Sequence, residues 1–264
     1  MSSFLTYGLG LAVLKEKLVK GDPCVIAVSG GLDSRFVAFM AHRLGVEFRA
    51  VFLSGPHMTA REKQWAHTWL TSQEIPWQAL EFDPLSLDTV RANDPQRCYH
   101  CKQAAFTLIK DWAREVGVER VLDGSNASDL AAHRPGLQAL QELGVESPLA
   151  ESGLTKDDIR EAARDLELEA WDQPARPCLL TRFPYSTPVD AAMLQRVGEI
   201  EDALVELGFR EFRLRVLGEG DTLLQLGSGH LDVLEQGLDL LEDKGFTGVR
   251  VQESDGISGY YDQG

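Results

Sequence analysis

Cys24-Val25-Ile26-Ala27-Val28-Ser29-Gly30-Gly31-Leu32-Asp33-Ser34-Arg35 is the stretch that decides the fold. Its first half is an apolar, β-branched run of strand length, and its second half passes through two glycines into a helical pattern. A buried strand that turns on Gly-Gly into a helix is the opening of an α/β unit. The turn leaves the N–H groups of the helix's first residues facing the end of the strand, where they and the helix dipole favour an anion. The Gly-Lys-Ser/Thr ending of a Walker loop is missing, and so is the spacing of a dinucleotide fingerprint.

Outward from this stretch the alternation continues. Apolar runs at 24–29, 48–53, 77–82 and 120–124 predict strands, with helical patterns at 34–44, 59–73 and 101–116 between them. Strands separated by helices imply a doubly wound parallel sheet. A Pro-rich passage at 173–188 then leads to a helix at 189–207, strands at 211–217 and 222–226, a helix at 229–244 and a strand at 247–252. The expected organisation is an α/β domain over 1–185 and a smaller α+β domain over 186–264.

Composition narrows the function classes. The chain has 264 residues and no apolar run of membrane-spanning length, so no membrane partner is expected. Residues 1–21 read as an amphipathic helix and not as a signal peptide, which gives a cytoplasmic expectation. A formal net charge of −15 argues against nucleic acid as a partner.

Four cysteines, Cys24, Cys98, Cys101 and Cys178, are too few and too unevenly spaced for a secreted disulfide scaffold. Cys24 lies inside the first strand and reads as a buried apolar residue. Cys98 and Cys101 form a Cys-x-x-Cys pair within Arg97-Cys98-Tyr99-His100-Cys101-Lys102, able to direct two sulfurs at one metal or at each other. No second pair exists to complete a zinc site, and His100 or His133 would be an arbitrary fourth ligand. Three thiolates suit a [4Fe–4S] cluster with one open iron.

Asp123-Gly124-Ser125-Asn126-Ala127-Ser128-Asp129 follows the fourth predicted strand, at the sheet edge where ligands collect in open α/β folds; a plain Asx turn is the competing reading. Arg213 and Arg215 alternate along one predicted strand face and are candidates for phosphate contacts, against the plainer reading of a solvated face.

Residues 29–34 match the Ser-Gly-Gly-x-Asp-Ser signature of the PP-loop ATP pyrophosphatases. This likeness implies that Ser29, Gly30, Gly31 and Ser34 bind pyrophosphate and that Asp33 helps to hold Mg²⁺. Arg97-Cys98-Tyr99-x-Cys101-Lys102, Asp123-Gly124-Ser125-Asn126-Ala127, Arg134-Pro135-Gly136, Ser147-Pro148-Leu149 and Pro177-Cys178-Leu179-x-x-Arg182-Phe183-Pro184-Tyr185 follow in order. Together the set resembles the LarE family of ATP-dependent sulfur transferases, over about residues 10–226.

That resemblance implies ATP-dependent adenylation of a carboxylate of pyridinium-3,5-biscarboxylic acid mononucleotide. Its conversion to a thiocarboxylate follows, for synthesis of a nickel-pincer nucleotide cofactor. It assigns sulfur donation to Cys178 and implies a small-molecule nucleotide substrate and a homo-oligomer. Asn126, Arg182, Arg213 and Arg215 become candidates for substrate or AMP phosphate. Family members with one cysteine give up its sulfur and end with dehydroalanine. Those with three hold a [4Fe–4S] cluster, and Cys98, Cys101 and Cys178 match that type. The chain departs from the family at its end, Ser258-Gly259-Tyr260-Tyr261, where a Gly-Tyr-Arg stretch is usual. The alternatives are a PP-loop tRNA thiolase, which the acidic charge disfavours, and an amide-forming synthetase of the NAD or GMP type, which has no use for the three cysteines.

Overall fold

Strand β1 (Cys24–Ala27) lies inside a four-stranded parallel sheet, and its Cys24, Val25 and Ile26 have no exposed surface. The computed structural model of the chain describes residues 2–21, 23–130, 135–218, 221–254, 256, 257 and 259–261, which gather into two compact units. His133 and Arg134 lie outside the described residues, as does the chain from 262 onward.

The first unit comprises Met1–Ser54, Gln64–Phe82 and Cys98–Gln173. Its sheet is ordered β3-β2-β1-β4, with β2 at Phe48–Ser54, β3 at Trp77–Glu81 and β4 at Arg120–Leu122. Every pairing is parallel, and Leu122 makes one further parallel bridge to Glu146. The chain therefore builds outward from β1 to β3 and returns to the other side of β1 for β4. Direction reverses between β1 and β4, and in open parallel sheets ligands collect at the carboxyl ends of the strands at such a switch point.

Helices cover both faces. They are α1 (Ser2–Val19), α2 (Leu32–Arg43), α3 (Ala60–Ser72) and, past α4 (Asp88–Arg91) of the second unit, α5 (Arg97–Glu115), then α6 (Ala127–Leu130), α7 (Pro135–Glu142), α8 (Pro148–Glu151) and α9 (Lys156–Asp165). On one face Phe106, Ile109 and Ala113 of α5, with Leu140 of α7, pack on Val25, Val51 and Val121. On the other, α2 lies beside α1, α8 and α9, with Phe36 and Val37 fully buried. Burial of a side chain such as Phe36 contributes roughly 1.5–3 kcal/mol. The spans at 127–165 are short, which is why apolar periodicity did not bring out α6 to α9; α9 starts on a capping box of Thr155 and Asp158. Helix α5 begins at Arg97 and not at 101, so both cysteines of the pair are helical.

The second unit comprises Gly55–Lys63, Asp83–Arg97 and Pro174–Gly264, so two early segments join the C-terminal part of the chain. A single cut at residue 185 does not describe that interleaving. It contains α10 (Ala191–Glu206), β5 (Phe212–Gly218), β6 (Asp221–Leu226), α11 (Leu231–Asp243) and β7 (Arg250–Glu253). Strand β6 is central, antiparallel to β5 and parallel to β7. Among the described residues no helix is long and apolar enough to cross a membrane.

Gly124 marks the tightest point of the first unit. A Cβ placed there would lie 2.7 Å from both the backbone nitrogen and the Cα of Ser34. Gly124→Ala is therefore expected to push the loop after β4 away from the start of α2. Overpacking of this kind costs about 1–3 kcal/mol, measurable as a lowered thermal midpoint accompanied by weaker nucleotide binding. An unchanged midpoint and unchanged binding would show that the two loops move freely.

Candidate active site

The turn between β1 and α2 closes on itself through its hydroxyls. Ser29 N–H donates to Ser34 Oγ at 3.1 Å, and Ser34 Oγ donates to the Gly31 carbonyl at 3.1 Å. The two hydroxyl oxygens are 3.2 Å apart. Gly30 has a φ of +80°, which an L side chain rarely adopts. Gly31 caps α2 without a side chain, so no side-chain oxygen occupies the helix's N-terminal N–H groups. Such an open helix start, flanked by two hydroxyls, is suited to an anion with several oxygens.

Arg35, which the sequence reading passed over, holds this turn from beneath. It has no exposed surface. Its Nε donates to the Gly30 carbonyl at 3.1 Å, Nη1 to the Glu169 carbonyl at 2.8 Å, and Nη2 to the Ala170 carbonyl and Gln173 Oε1. The guanidinium also stacks on Trp65 and Trp69, 5.4 and 5.3 Å from the ring centroids. Burial pushes its pKa down to about 10, against the charges of Glu169 and Asp33, which leaves it cationic at neutral pH.

From the loop after β4, Asn126 joins the turn. Its Nδ2 donates to Asp33 Oδ2 at 3.3 Å, while its Oδ1 accepts from Ser128 N–H at 2.9 Å. The loop is thus both an Asx turn and a partner of the phosphate-loop carboxylate. Asp123 is buried and fixes the loop's base by accepting from Ser125 and Ser147. Lys156, at the start of α9, was also absent from the sequence reading; its Nζ lies 2.7 Å from both oxygens of Asp33. A Lys 123 positions from its carboxylate leaves no periodic signal, and only the packing of α9 on α2 reveals it. Asp33 thus stands at the open start of α2 with both oxygens on Lys156, and it would take a cation by exchanging that ammonium for it. That suits Mg²⁺, which takes one or two carboxylates and fills its remaining positions with phosphate oxygens and water.

In the second unit the loop carrying Cys178 is held by three buried arginines. Arg213 Nη2 donates to the Ala175 carbonyl at 2.5 Å, Arg182 Nη1 to the Pro177 carbonyl at 3.0 Å, and Arg215 Nη1 to the Thr181 carbonyl at 2.9 Å. All three are at most 4% exposed, so Arg213 and Arg215 do not form a solvated face. Arg182 makes a fork with Glu201 at 2.8 and 2.7 Å, and Glu201 accepts from Leu214 N–H as well. Burial raises the Glu201 pKa, but the charge and hydrogen bonds of Arg182 outweigh it and hold the group below the usual carboxylate range. Burial, followed by the charge of Arg182, pushes Arg213 down to about 9 and Arg215 to about 10. Arg215 has an acceptor on Nε and on both Nη atoms. Arg213 keeps a buried Nε with none.

The cysteines divide between the units: Cys98 and Cys101 belong to the first and Cys178 to the second. All four are thiols; Cys98 is exposed, Cys101 and Cys178 are half-buried, and burial pushes Cys24 up to about 11. Cys98 and Cys101, three residues apart at the start of α5, share one helix face. Among the described residues no three His, Cys, Asp or Glu side chains stand close enough together to hold a metal ion. The thiols fit an iron–sulfur centre in kind.

Comparisons with known proteins bear on this geometry. A family model described as Thiamine biosynthesis protein (ThiI) matches residues 19–205. The chain is 36% identical to an uncharacterized protein of Synechocystis over 74% of its own length and 73% of the relative's. It is 30% identical to an uncharacterized protein of Methanocaldococcus jannaschii over 72% of each. It is 33% identical to the pyridinium-3,5-bisthiocarboxylic acid mononucleotide synthase of Lactiplantibacillus plantarum, over 72% of this chain and 70% of that protein.

Two variants test the geometry. Arg35→Leu leaves buried carbonyls without a donor, at about 1–3 kcal/mol for each unsatisfied group, and should lower both stability and ATP affinity in a thermal-shift titration. Arg182→Met strands Glu201 as a buried charge, at about 3–5 kcal/mol. Its denaturation midpoint should fall, with partial recovery in the double variant Arg182→Met/Glu201→Leu.

Proposed function

From the premise that the chain belongs to the ThiI family of PP-loop proteins, among its LarE-like members, and is an ATP-dependent sulfur-transferring enzyme, we propose that it converts a carboxylate of pyridinium-3,5-biscarboxylic acid mononucleotide into a thiocarboxylate for nickel-pincer cofactor synthesis. The observation that carries the reading is the open start of α2 beside Ser29 and Ser34, with Asp33 in its first turn and Asn126 of the loop after β4 bonded to that carboxylate.

In this reading Ser29, Gly30, Gly31 and Ser34 hold the β and γ phosphates of ATP through N–H and hydroxyl groups. Asp33 would hold Mg²⁺ in exchange for Lys156, and the ion would offset the charge that develops on pyrophosphate. A substrate carboxylate oxygen attacks the α-phosphorus, the bond to the pyrophosphate oxygen breaks, and an acyl adenylate forms. Joining the carboxylate to AMP turns a poor leaving group into a stabilised phosphate. A sulfur nucleophile then attacks the acyl carbon and AMP departs. Arg213, whose Nε has no acceptor, is the arginine assigned to a substrate or AMP phosphate; Arg182 and Arg215 serve the loop around Cys178. The sulfur is assigned to the set Cys98, Cys101 and Cys178, as ligands of a [4Fe–4S] cluster. That part of the proposal rests on the number and spacing of the thiols. A cytoplasmic homo-oligomer completes the proposal.

With ATP, Mg²⁺ and the biscarboxylate mononucleotide, the products are expected to be AMP and pyrophosphate; ADP would refute the reading. Anaerobic reconstitution should yield iron and acid-labile sulfide, most of it lost in Cys98→Ala, Cys101→Ala or Cys178→Ala, with adenylation retained. Protein without iron, and with residue 178 lighter by the elements of H₂S after one turnover, would replace the cluster with sacrifice of Cys178.

A further inference from the structure

The end of the chain closes over the same arginine that grips the loop after Cys178. Arg215 donates through Nη1 to the Thr181 carbonyl at 2.9 Å, through Nη2 to the Ile257 carbonyl at 2.5 Å and through Nε to Gln225 Oε1 at 2.8 Å. Its guanidinium lies 4.7 Å from the Tyr260 ring centroid and 5.7 Å from that of Tyr261. The two rings meet edge to face at 4.9 Å. Tyr261 OH reaches the carbonyls of Arg182 and Val216 at 3.4 and 3.3 Å, and Ile257 is 3% exposed.

One planar cation thus joins two segments 76 residues apart, from Thr181 to Ile257. A guanidinium fixed at both edges and faced by two aromatic rings has little rotational freedom. Thr181, which it holds, is the residue that turns the chain after Cys178: its N–H and its hydroxyl both donate to the Cys178 carbonyl, at 3.0 and 2.8 Å. The series Tyr260/Tyr261, Arg215, Thr181, Cys178 is continuous at hydrogen-bond or ring-contact distance.

We propose that Tyr260 and Tyr261 form an aromatic strap that, through Arg215, positions the Cys178 loop for sulfur delivery. The strap tyrosines and Arg215 are positioning residues and take no part in bond making. The proposal rests on the reading of Cys178 as the residue that delivers sulfur. It separates adenylation, which uses the phosphate loop of the first unit, from sulfur delivery, which needs a set loop in the second.

The test is site-resolved iodoacetamide labelling of the chelator-treated, full-length chain, read by mass spectrometry, with AMP release and sulfur transfer measured in parallel. In Tyr260→Leu/Tyr261→Leu, Cys178 should label about tenfold faster as its loop opens locally, while exposed Cys98 labels at the wild-type rate. AMP release should be unchanged and sulfur transferred per adenylate should fall. Tyr260→Phe/Tyr261→Phe keeps the rings and should restore wild-type labelling. If the leucine pair does not fold, Arg215→Lys, which keeps the charge but cannot span both carbonyls, should give the same rise at Cys178. Unchanged Cys178 labelling in a folded leucine pair or in Arg215→Lys overturns the strap. Undiminished sulfur transfer by Cys178→Ala overturns the reading beneath it, and the proposal with it.

Discussion

Arg35 ties the phosphate loop to the rest of the first unit. The N-cap Gly31 gives α2 no side-chain cap, so support for the turn comes from the carbonyl side and from below. The buried guanidinium supplies it by binding the Gly30 carbonyl and two carbonyls of the 169–170 segment, with Trp65 and Trp69 closing over its faces. Desolvation of a guanidinium is expensive, and here its Nε and both Nη atoms have acceptors, which is the condition under which burial is tolerated. Gly124 applies the complementary constraint: the loop after β4 comes so close to Ser34 that only a hydrogen fits between them.

The second unit solves a related problem with the same residue type. A Pro-restricted loop has few backbone donors and carries carbonyls that need partners. Arg182, Arg213 and Arg215 provide them at Ala175, Pro177 and Thr181, on both sides of Cys178. Three guanidinium groups around Glu201 leave this region with an excess of positive charge, which favours an anionic guest and holds the loop by hydrogen bonds that apolar packing could not supply. Glu62 lies in the same field, its pKa raised by burial and pulled back by its bond to Thr59 and the charges of Arg176 and Arg182.

Much of this architecture is legible in the chain because it rests on local rules. Strand length, helix periodicity and the Gly-Gly turn depend on neighbours within a few residues, so β1 to β4, α2, α10 and the position of the phosphate turn follow from reading along the chain. The order β3-β2-β1-β4 agrees with the doubly wound expectation because parallel strands joined by helices have few ways to pack. The helices at 127–165 escaped because they are one to three turns long, too short for an apolar repeat to stand out along the chain.

The sequence by itself determined the fold class, the place of the Gly-Gly turn and the identity of the thiols, since each is carried by contiguous residues whose chemistry does not depend on distant partners. Only the tertiary structure decided what the charged side chains do. Lys156 meets Asp33, Arg35 lies under Gly30, and Arg213 and Arg215 are buried on the Cys178 loop and not spread along a solvated face. The physical reason is reach. A guanidinium or ammonium on a long stem takes its role from whichever acceptor the folded chain brings within about 3 Å, and those acceptors are backbone carbonyls that no residue code announces.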